Sequence, residues 1–504
     1  MDTMSTLPSF VSSVDWSRPD SLASSLRFLR PLFVDSRVAI VGEQAAEAAH
    51  FASLYAESIT AWVESEELRS EFLIECPSIP CRLVADLDAG SWDWALLQLK
   101  AAEASRLDLK ALGPRGALLV RDSAPVADSG SGVRWFSRST SAPSCFSEGI
   151  DAHADEWIGF WGEIEIPVWP KVCGVIPTLS QVEMAVAAAE AFLNTYPGPM
   201  ELVLVANGTA EPLLETLRAF AQERSDSVRL AVLPENRGFA GGVNAGLAAL
   251  GDLEEWDIVV VSNDDVIPHS ECMAEIASSW RELKERGLRP GIVGPVSNNI
   301  NGRQQVEIGI YASADEMQAR ATAYHRDNCQ SVSQEMQIRG LLLWLDRELV
   351  SEIGGFDPRF GIGNFEDDDY NLRARLAGYT LWRADGAFLH HAGSSTFRSL
   401  NVDYEANIAR NASLFCEKWQ IDSLDRWPLL ERAPQGVSLY CDPDTAYQPS
   451  EFSVTLNGER IDLVTQASDI EFAGWVLSRL AQFPRSKRRD IIELLSEASA
   501  FDAA

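Results

Sequence analysis

Residues 363–379 read GNFEDDDYNLRARLAGY, with four acids in a row at Glu366, Asp367, Asp368 and Asp369. Each carboxylate raises the cost of ionising its neighbours. A helix start explains part of the crowding, because the macrodipole favours acids in the first turn and Asp caps exposed backbone N–H groups. Leu372 and Leu376 fall on one face, Asp369 and Arg373 form an i,i+4 pair, and Gly378 closes the pattern. One or two acids serve that purpose. Four point to a site that holds cationic charge or moves a proton.

Three further clusters offer partners. SNDDV places Asp264 and Asp265 where a buried strand ends, and adjacent carboxylates suit a hard divalent cation, Mg2+ or Mn2+, that shares its shell with substrate phosphate oxygens. An Asn-Asp turn after the strand accounts for the same residues without a metal. ENRGFAGGVNAG, with glycines at 238, 241, 242 and 246, opens a helix where backbone N–H groups can approach a diphosphate. Its spacing is not G-x-G-x-x-G, and close helix–strand packing calls for small residues equally well. FLHHAGSSTF carries His390 and His391. A lone buried histidine is usually structural, whereas a pair downstream of two acidic clusters fits a third metal ligand supplied as neutral imidazole.

The elements that must position these clusters fall into three regions. In residues 1–165, apolar runs at 37–42, 58–65, 92–100 and 116–122 alternate with helical stretches, which implies an α/β layer with a mostly parallel sheet. The Ser-, Gly- and Pro-rich stretch 121–144 reads as a loop or long hairpin. Residues 166–400 have a stronger rhythm: strands at 171–177, 200–209, 228–236 and 256–266, with helices at 180–195, over EPLLETLRAFAQE and at 238–250. The turns ANGT, ENRGFAGG and SNDD all fall at carboxyl ends of strands, the edge where open α/β sheets bind ligands. Residues 401–504 read as mainly helical (YEANIARNASLFCEKW, DIEFAGWVLSRLAQF, RRDIIELLSEASA), with GVSLYCDPDTAYQPSEFSVTLNG between them as loop.

A chain of 504 residues exceeds one ordinary core, so two or three domains are expected. Hydrophobic residues at 46% and charged residues at 23% describe a soluble globular protein rather than a disordered one. A formal net charge of −32 repels nucleic acid and anionic membrane surfaces, which argues against both as direct partners. The 8 cysteines are scattered, with no disulfide framework or zinc-ribbon register, and reduced thiols are expected. The first residues lack the basic region and apolar run of a signal peptide, and no apolar run is long enough to span a bilayer. These features predict a cytoplasmic protein.

Taken in order, VANGT, NRGFAGGVNAGL, SNDDV, RGLLLWLDRELVSEIGGFDPRF, EDDDYNLRARLAGY, HAGSSTF and the later EKW resemble the family 2 glycosyltransferases, which have the GT-A fold and invert at the anomeric carbon. The resemblance covers about residues 170–420. It implies a GT-A (Rossmann-like) domain at 166–400, preceded by a second α/β Rossmann-like domain at 1–165 and followed by a mainly helical region at 401–504. It also implies a donor site that includes Pro177, Thr178, Asn207, Asn236, Gly241, Gly242, Asn244, Asn263 and Asp264, with Mn2+ or Mg2+ held by Asp265 and His391. The H-x-G-S-x-T-F spacing selects His391 over His390. Asp367, following Glu366, takes the place of the catalytic base. Ala206 departs from the pattern, since the family often has there an acid that reads the nucleotide base; Asn207 or Thr178 could compensate.

The partners implied are a nucleotide-diphosphate sugar and a hydroxyl acceptor, which is a glycan, a lipid-linked glycan or a protein. The N-terminal region resembles a class I methyltransferase, with RVAIVG as cofactor strand, but GEQAAEAA lacks the glycine-rich turn that S-adenosylmethionine requires. A degenerate, non-catalytic module is expected, one that binds a partner protein, a second copy, the acceptor or the transferase domain itself. Two other readings remain: a nucleotidyltransferase, opposed by the lack of Lys or Arg in GVIPTLSQ, and a decayed scaffold, favoured by Ala206 and opposed by the intact acids and His391.

Overall fold

The computed structural model describes residues 21–42, 45–84, 92–99, 115–120, 124–125, 133–138, 146–151, 153–154, 156–393, 403–443, 451–456 and 459–464. They form two compact units. The first holds the described residues up to Trp169 together with Asn194–Pro199, and the second holds Pro170–Leu193 and the described residues from Met200 onward.

In the first unit, helices α1 (Ser21–Phe33), α2 (Ala45–Ala52) and α3 (Glu66–Glu75) accompany eight strands. These are β1 (Arg37–Val41), β2 (Ser58–Val63), β3 (Cys81–Leu83), β4 (Trp94–Leu99), β5 (Gly116–Val120), β6 (Arg134–Arg138), β7 (Ser147–Glu148) and β8 (Glu156–Trp161). The sheet order is β3-β2-β1-β4-β5-β8-β6-β7. Strands β1 to β5 pair in parallel, whereas β8 runs antiparallel to β5 and to β6. Their apolar runs are buried on both faces, as parallel strands covered by helices require. Strand β6 lies inside the stretch expected as loop or hairpin. Trp62, Leu97, Leu118, Trp157 and Trp161 form one core of this unit.

The second unit carries the longer sheet. Its strands are β9 (Val172–Thr178), β10 (Met200–Asn207), β11 (Val228–Leu233), β12 (Ile258–Ser262), β13 (Val266–Pro268), β14 (Pro290–Ser297), β15 (Val332–Glu335), β16 (Leu342–Asp346), β17 (Thr380–His391), β18 (Glu451–Leu456) and β19 (Glu459–Val464). Between them lie α4 (Val182–Thr195), α5 (Leu213–Glu223), α6 (Gly238–Ala249), α7 (Cys272–Glu285), α8 (Ala314–Asn328), α9 (Arg347–Ile353), α10 (Glu366–Leu376) and α11 (Tyr404–Trp419). The order β13-β17-β14-β16-β12-β9-β10-β11-β18-β19 has a parallel half, β12-β9-β10-β11, and a mixed half in which β16 opposes both β12 and β14. The order reverses between β9 and β12, so the crevice of a doubly wound sheet opens at their carboxyl ends.

Helix α6 lies on this sheet because its residues are small. A Cβ on Gly246 would stand 2.2 Å from Val175 Cγ1 on β9, so packing alone explains that glycine. Gly238, at φ +74°, starts the helix against the Gly361 carbonyl, where no side chain fits. The stretch EFSVTL, expected as loop, forms β18 and pairs with β11 and β19. Its apolar and polar residues alternate with period two, and Asn457-Gly458 separates it from β19, the pattern of a hairpin. Among the described residues, no helix is long and apolar enough to cross a membrane.

Candidate active site

Strand β9 delivers Pro177 and Thr178 to the crevice, and β10 delivers Asn207 beside them. A Cβ on Gly242 would lie 2.9 Å from both Asn207 Nδ2 and Pro177 Cβ, so these three residues form one wall with no room for a side chain on the helix. Asn207 accepts the Arg237 N–H at 2.9 Å and donates to the Gly238 carbonyl at 2.9 Å, while Asn236 Oδ1 accepts the Gly238 N–H at 2.9 Å. Both asparagines therefore shape the turn that opens α6. Gly241 packs over the Arg237 side chain.

Asn244 differs from the other expected donor contacts. It is buried, accepts the Phe356 N–H at 2.7 Å and donates to the Phe356 carbonyl at 2.7 Å. That bidentate bond ties α6 to the loop after α9 and leaves the amide engaged away from the crevice.

Beyond β12 the chain turns through Asn263, Asp264 and Asp265 into β13, which pairs with the end of β17 so that Val266 faces His391. Asp264 is pushed up to about 7, by burial and then by the Asp265 charge, with the Thr178 hydroxyl and His391 opposing the shift. The His391 ring meets Asp265 Oδ1 through Nε2 at 3.3 Å and the Asn299 carbonyl through Nδ1 at 2.6 Å. A carbonyl only accepts, so Nδ1 carries the hydrogen and Nε2 is directed at the carboxylate. Burial lowers the His391 pKa, but the hydrogen bond and charge of Asp265 and the Asn299 carbonyl outweigh it, and the net direction is up. This is also the arrangement of a metal-ligating histidine, whose second nitrogen is fixed by a carbonyl. Asp265 and His391 thus fit a hard cation as two protein ligands; among the described residues no cluster of three such groups surrounds the position. His390, on the opposite face of β17, meets the Tyr311 hydroxyl at 2.6 Å, and burial pushes it down to about 4.

The acid row occupies the first turn of α10, as expected, but none of the acids is its cap. The residue before the helix is Phe365, in a left-handed conformation like Asn364, and its side chain makes no cap hydrogen bond. Asn411 on α11 holds this bend, donating to the Phe360, Gly363 and Asn364 carbonyls. The acids look elsewhere. Asp369 and Arg373, both fully buried, form the i,i+4 pair at 2.9 Å, and Asp369 also takes the Trp419 indole N–H at 3.0 Å and Lys418 at 2.6 Å. Asp368 meets Arg339 at 3.4 Å and is pushed up to about 8 by burial and the Asp367 charge. Glu366 is raised by burial and by Asp367, and its Oε2 is buried without a hydrogen-bond partner. Asp367 accepts the Gly340 N–H at Oδ2, 3.0 Å, and the Asp368 N–H at Oδ1, 2.9 Å.

Two consecutive residues connect the two halves. While Gly340 donates to Asp367, the next residue, Leu341, accepts the Asn263 N–H at 2.9 Å, so the acid row and the SNDD turn flank the same two residues.

Residues 174–328, which include the strand-end carboxylates, match the family model described as glycosyl transferase family 2. The second unit is a glycosyltransferase. An N-acetylglucosaminyl-diphospho-decaprenol L-rhamnosyltransferase of Mycobacterium tuberculosis is 28% identical over 224 residues, covering 40% of this chain and 69% of the relative. The same match is found in a second strain of that organism. Among solved structures, GalNAc-T7 with UDP, GalNAc and Mn2+ is 14% identical, covering 51% of this chain and 56% of that one, at a TM-score of 0.35. The mannosyltransferase PcManGT from Pyrobaculum calidifontis, in complex with GDP-Man and Mn2+, is 16% identical, covering 67% and 81%, also at 0.35. Overlaps of that extent add nothing to the family match.

Several residues of the second unit had no signal of their own in the sequence. Asn298 and Asn299 brace His391, Arg339 pairs with Asp368, and Gln304 and Asn371 hold the segment before Gly340. Lys418 and Trp419 were visible only as the EKW block, without their partner Asp369.

Proposed function

We propose that the chain transfers a sugar from a nucleotide-diphosphate donor to a hydroxyl acceptor by a single inverting displacement. The observation that carries this reading is the pair of consecutive residues Gly340 and Leu341, whose N–H and carbonyl respectively join the acid row to the turn bearing Asp264 and Asp265. A donor-side acid pair and a proton acceptor then share one cleft, as a displacement with attack opposite the leaving group requires.

In this mechanism Pro177, Thr178, Asn207 and Gly242 shape the wall against which the nucleotide lies. Asp265 and His391 would hold a divalent cation, Mn2+ or Mg2+, which when bound neutralises charge on the departing diphosphate. Asp367 receives the proton of the acceptor hydroxyl as it attacks the anomeric carbon. Its carboxylate is held by two backbone N–H groups, so it meets the acceptor in one orientation. Glu366 lies beside the base, raised by burial and then by the Asp367 charge. Asp369 keeps the helix in place through Arg373, Lys418 and Trp419.

Lipid-linked glycans are among the acceptors this reading admits, and the decaprenol-linked substrate in the relative's name makes them the first class to try. The N-terminal unit, up to about residue 165, serves as a non-catalytic Rossmann-like module. A Cβ on Gly42, after β1, would lie 2.6 Å from the Gln98 carbonyl, so β4 crowds the point where a cofactor would enter. A thermal-shift screen of nucleotide sugars with and without Mn2+ tests the main proposal, since a site ligand stabilises the folded state. A donor that raises Tm only when Mn2+ is present is the expected result; no response to any nucleotide sugar would contradict it.

A further inference from the structure

Two buried amides outside the acid row fix the segment that contacts Asp367. Asn371, one turn into α10, accepts the Ile338 N–H through Oδ1 at 3.0 Å and donates from Nδ2 to the Ile338 carbonyl at 2.8 Å. The same Nδ2 lies 2.6 Å from the Asp367 carbonyl. Gln304, after β14, accepts the Arg339 N–H at 2.7 Å and donates to the Pro295 carbonyl at 2.8 Å. Ile338 and Arg339 therefore have their N–H groups held by side chains, and the third N–H of the segment, from Gly340, goes to Asp367 Oδ2. A Cβ on Gly340 would come 3.1 Å from Asp367 Cβ, so the close approach depends on glycine.

Gln304 is 3% exposed and Asn371 fully buried, so neither can touch a substrate. Each amide oxygen accepts one backbone N–H; Asn371 donates to two carbonyls and Gln304 to one, all within the protein. Buried amides engaged on both sides have few alternative arrangements of similar energy. Movement of Ile338–Gly340 would withdraw the Gly340 N–H and free the Asp367 carboxylate to rotate.

We propose that Gln304 and Asn371 are positioning residues for the transfer reaction, fixing Ile338–Gly340 so that its last N–H aims the Asp367 carboxylate at the acceptor hydroxyl. The proposal rests on the reading of Asp367 as general base. A carboxylate displaced by about 1 Å can cost up to about a hundred-fold in rate while the donor wall across the cleft stays intact. The effect belongs in kcat and not in donor KM.

Steady-state kinetics of Gln304→Ala and Gln304→Glu test this. Gln304→Ala is expected to lower kcat by about ten-fold or more, with donor KM within about two-fold of the parent. Gln304→Glu, held protonated by burial, keeps an oxygen for the Arg339 N–H and an O–H for the Pro295 carbonyl, and should recover most of that loss. A Gln304→Ala enzyme with parental kcat, or a loss shared in full by Gln304→Glu, overturns the proposal. If Gln304→Ala does not fold, Gly340→Ala takes its place, because its methyl group pushes Asp367 off the N–H; parental kcat there is equally decisive against the proposal. Asp367→Asn measured alongside separates the two claims. Retained turnover in that variant refutes the base, whereas lost turnover with unaffected Gln304 and Gly340 variants refutes only the positioning.

Discussion

Replacing Asp367 by Asn removes the proton acceptor at nearly constant volume, yet the local bonding does not carry over. Oδ1 and Oδ2 each accept one backbone N–H, from Asp368 and Gly340. An amide has one oxygen, so in either orientation its NH2 group confronts one of those donors. Leaving a buried donor unsatisfied costs about 1–3 kcal/mol. Relief of repulsion with Glu366 and Asp368, both raised partly by the Asp367 charge, offsets some of this. A net destabilisation of about 1–2 kcal/mol, or roughly 2–8 °C in Tm, is expected. Loss of a general base removes about 10²–10⁴-fold in turnover, equivalent to about 3–5 kcal/mol of barrier. The assay pairs transfer rate with donor calorimetry and a melting curve on one preparation. Donor affinity should stay within about two-fold while kcat falls at least about a hundred-fold. Near-parental turnover in a folded Asp367→Asn protein would refute the base assignment and leave the acid row as a helix start.

Chelation should abolish transfer, Mn2+ or Mg2+ should restore it, and Asp265→Ala should weaken metal-dependent donor binding; full activity in a rigorously metal-free preparation would sink the cation role. Asp368 titrates near 8 in the folded chain, against about 4 when unfolded, so the folded state retains a proton between those values and loses stability as pH rises through that window. Asp368→Asn should therefore raise Tm little near pH 5 and by at least about 2 °C near pH 8–9; a difference that does not change with pH would contradict this. The N-terminal unit should show no calorimetric binding of S-adenosylmethionine, and a Kd of roughly 1–100 μM would overturn the degenerate reading.

How much was legible depended on the range of the interaction. Strands β9 to β12 stood out as apolar runs ending in turn residues, and that pattern placed Thr178, Asn207 and Asp265 at one edge. The Asp369–Arg373 pair could be read from i,i+4 spacing alone. The other partners of Asp369 could not, because Lys418 and Trp419 are brought back by a separate helix. Asn244 looked like a donor contact because it sits in a glycine-rich helix start, but its partner Phe356 is set by the packing of α6 on a distant loop. The expected Asp cap is replaced: Phe365 holds the cap position, Asp368 and Asp369 pair with Arg339 and Arg373, and Asp367 accepts the Asp368 N–H from within the turn. The β18–β19 hairpin was readable from its alternation and its Asn-Gly, but the loop-like composition before it masked the signal.

That hairpin also sets an order of events in the making of the protein. Strand β11 gains its outer neighbour only from residues Glu451 and Phe452, paired with Val232 and Ala231. At a synthesis rate of about 5–20 residues per second, the roughly 220 residues between the partners take on the order of 10–45 s to emerge. Through that interval β11 presents an unpaired row of N–H and C=O groups, the template for unwanted strand addition. A nascent chain stalled or cleaved before residue 451 would keep that template uncovered and open to strand addition by another copy.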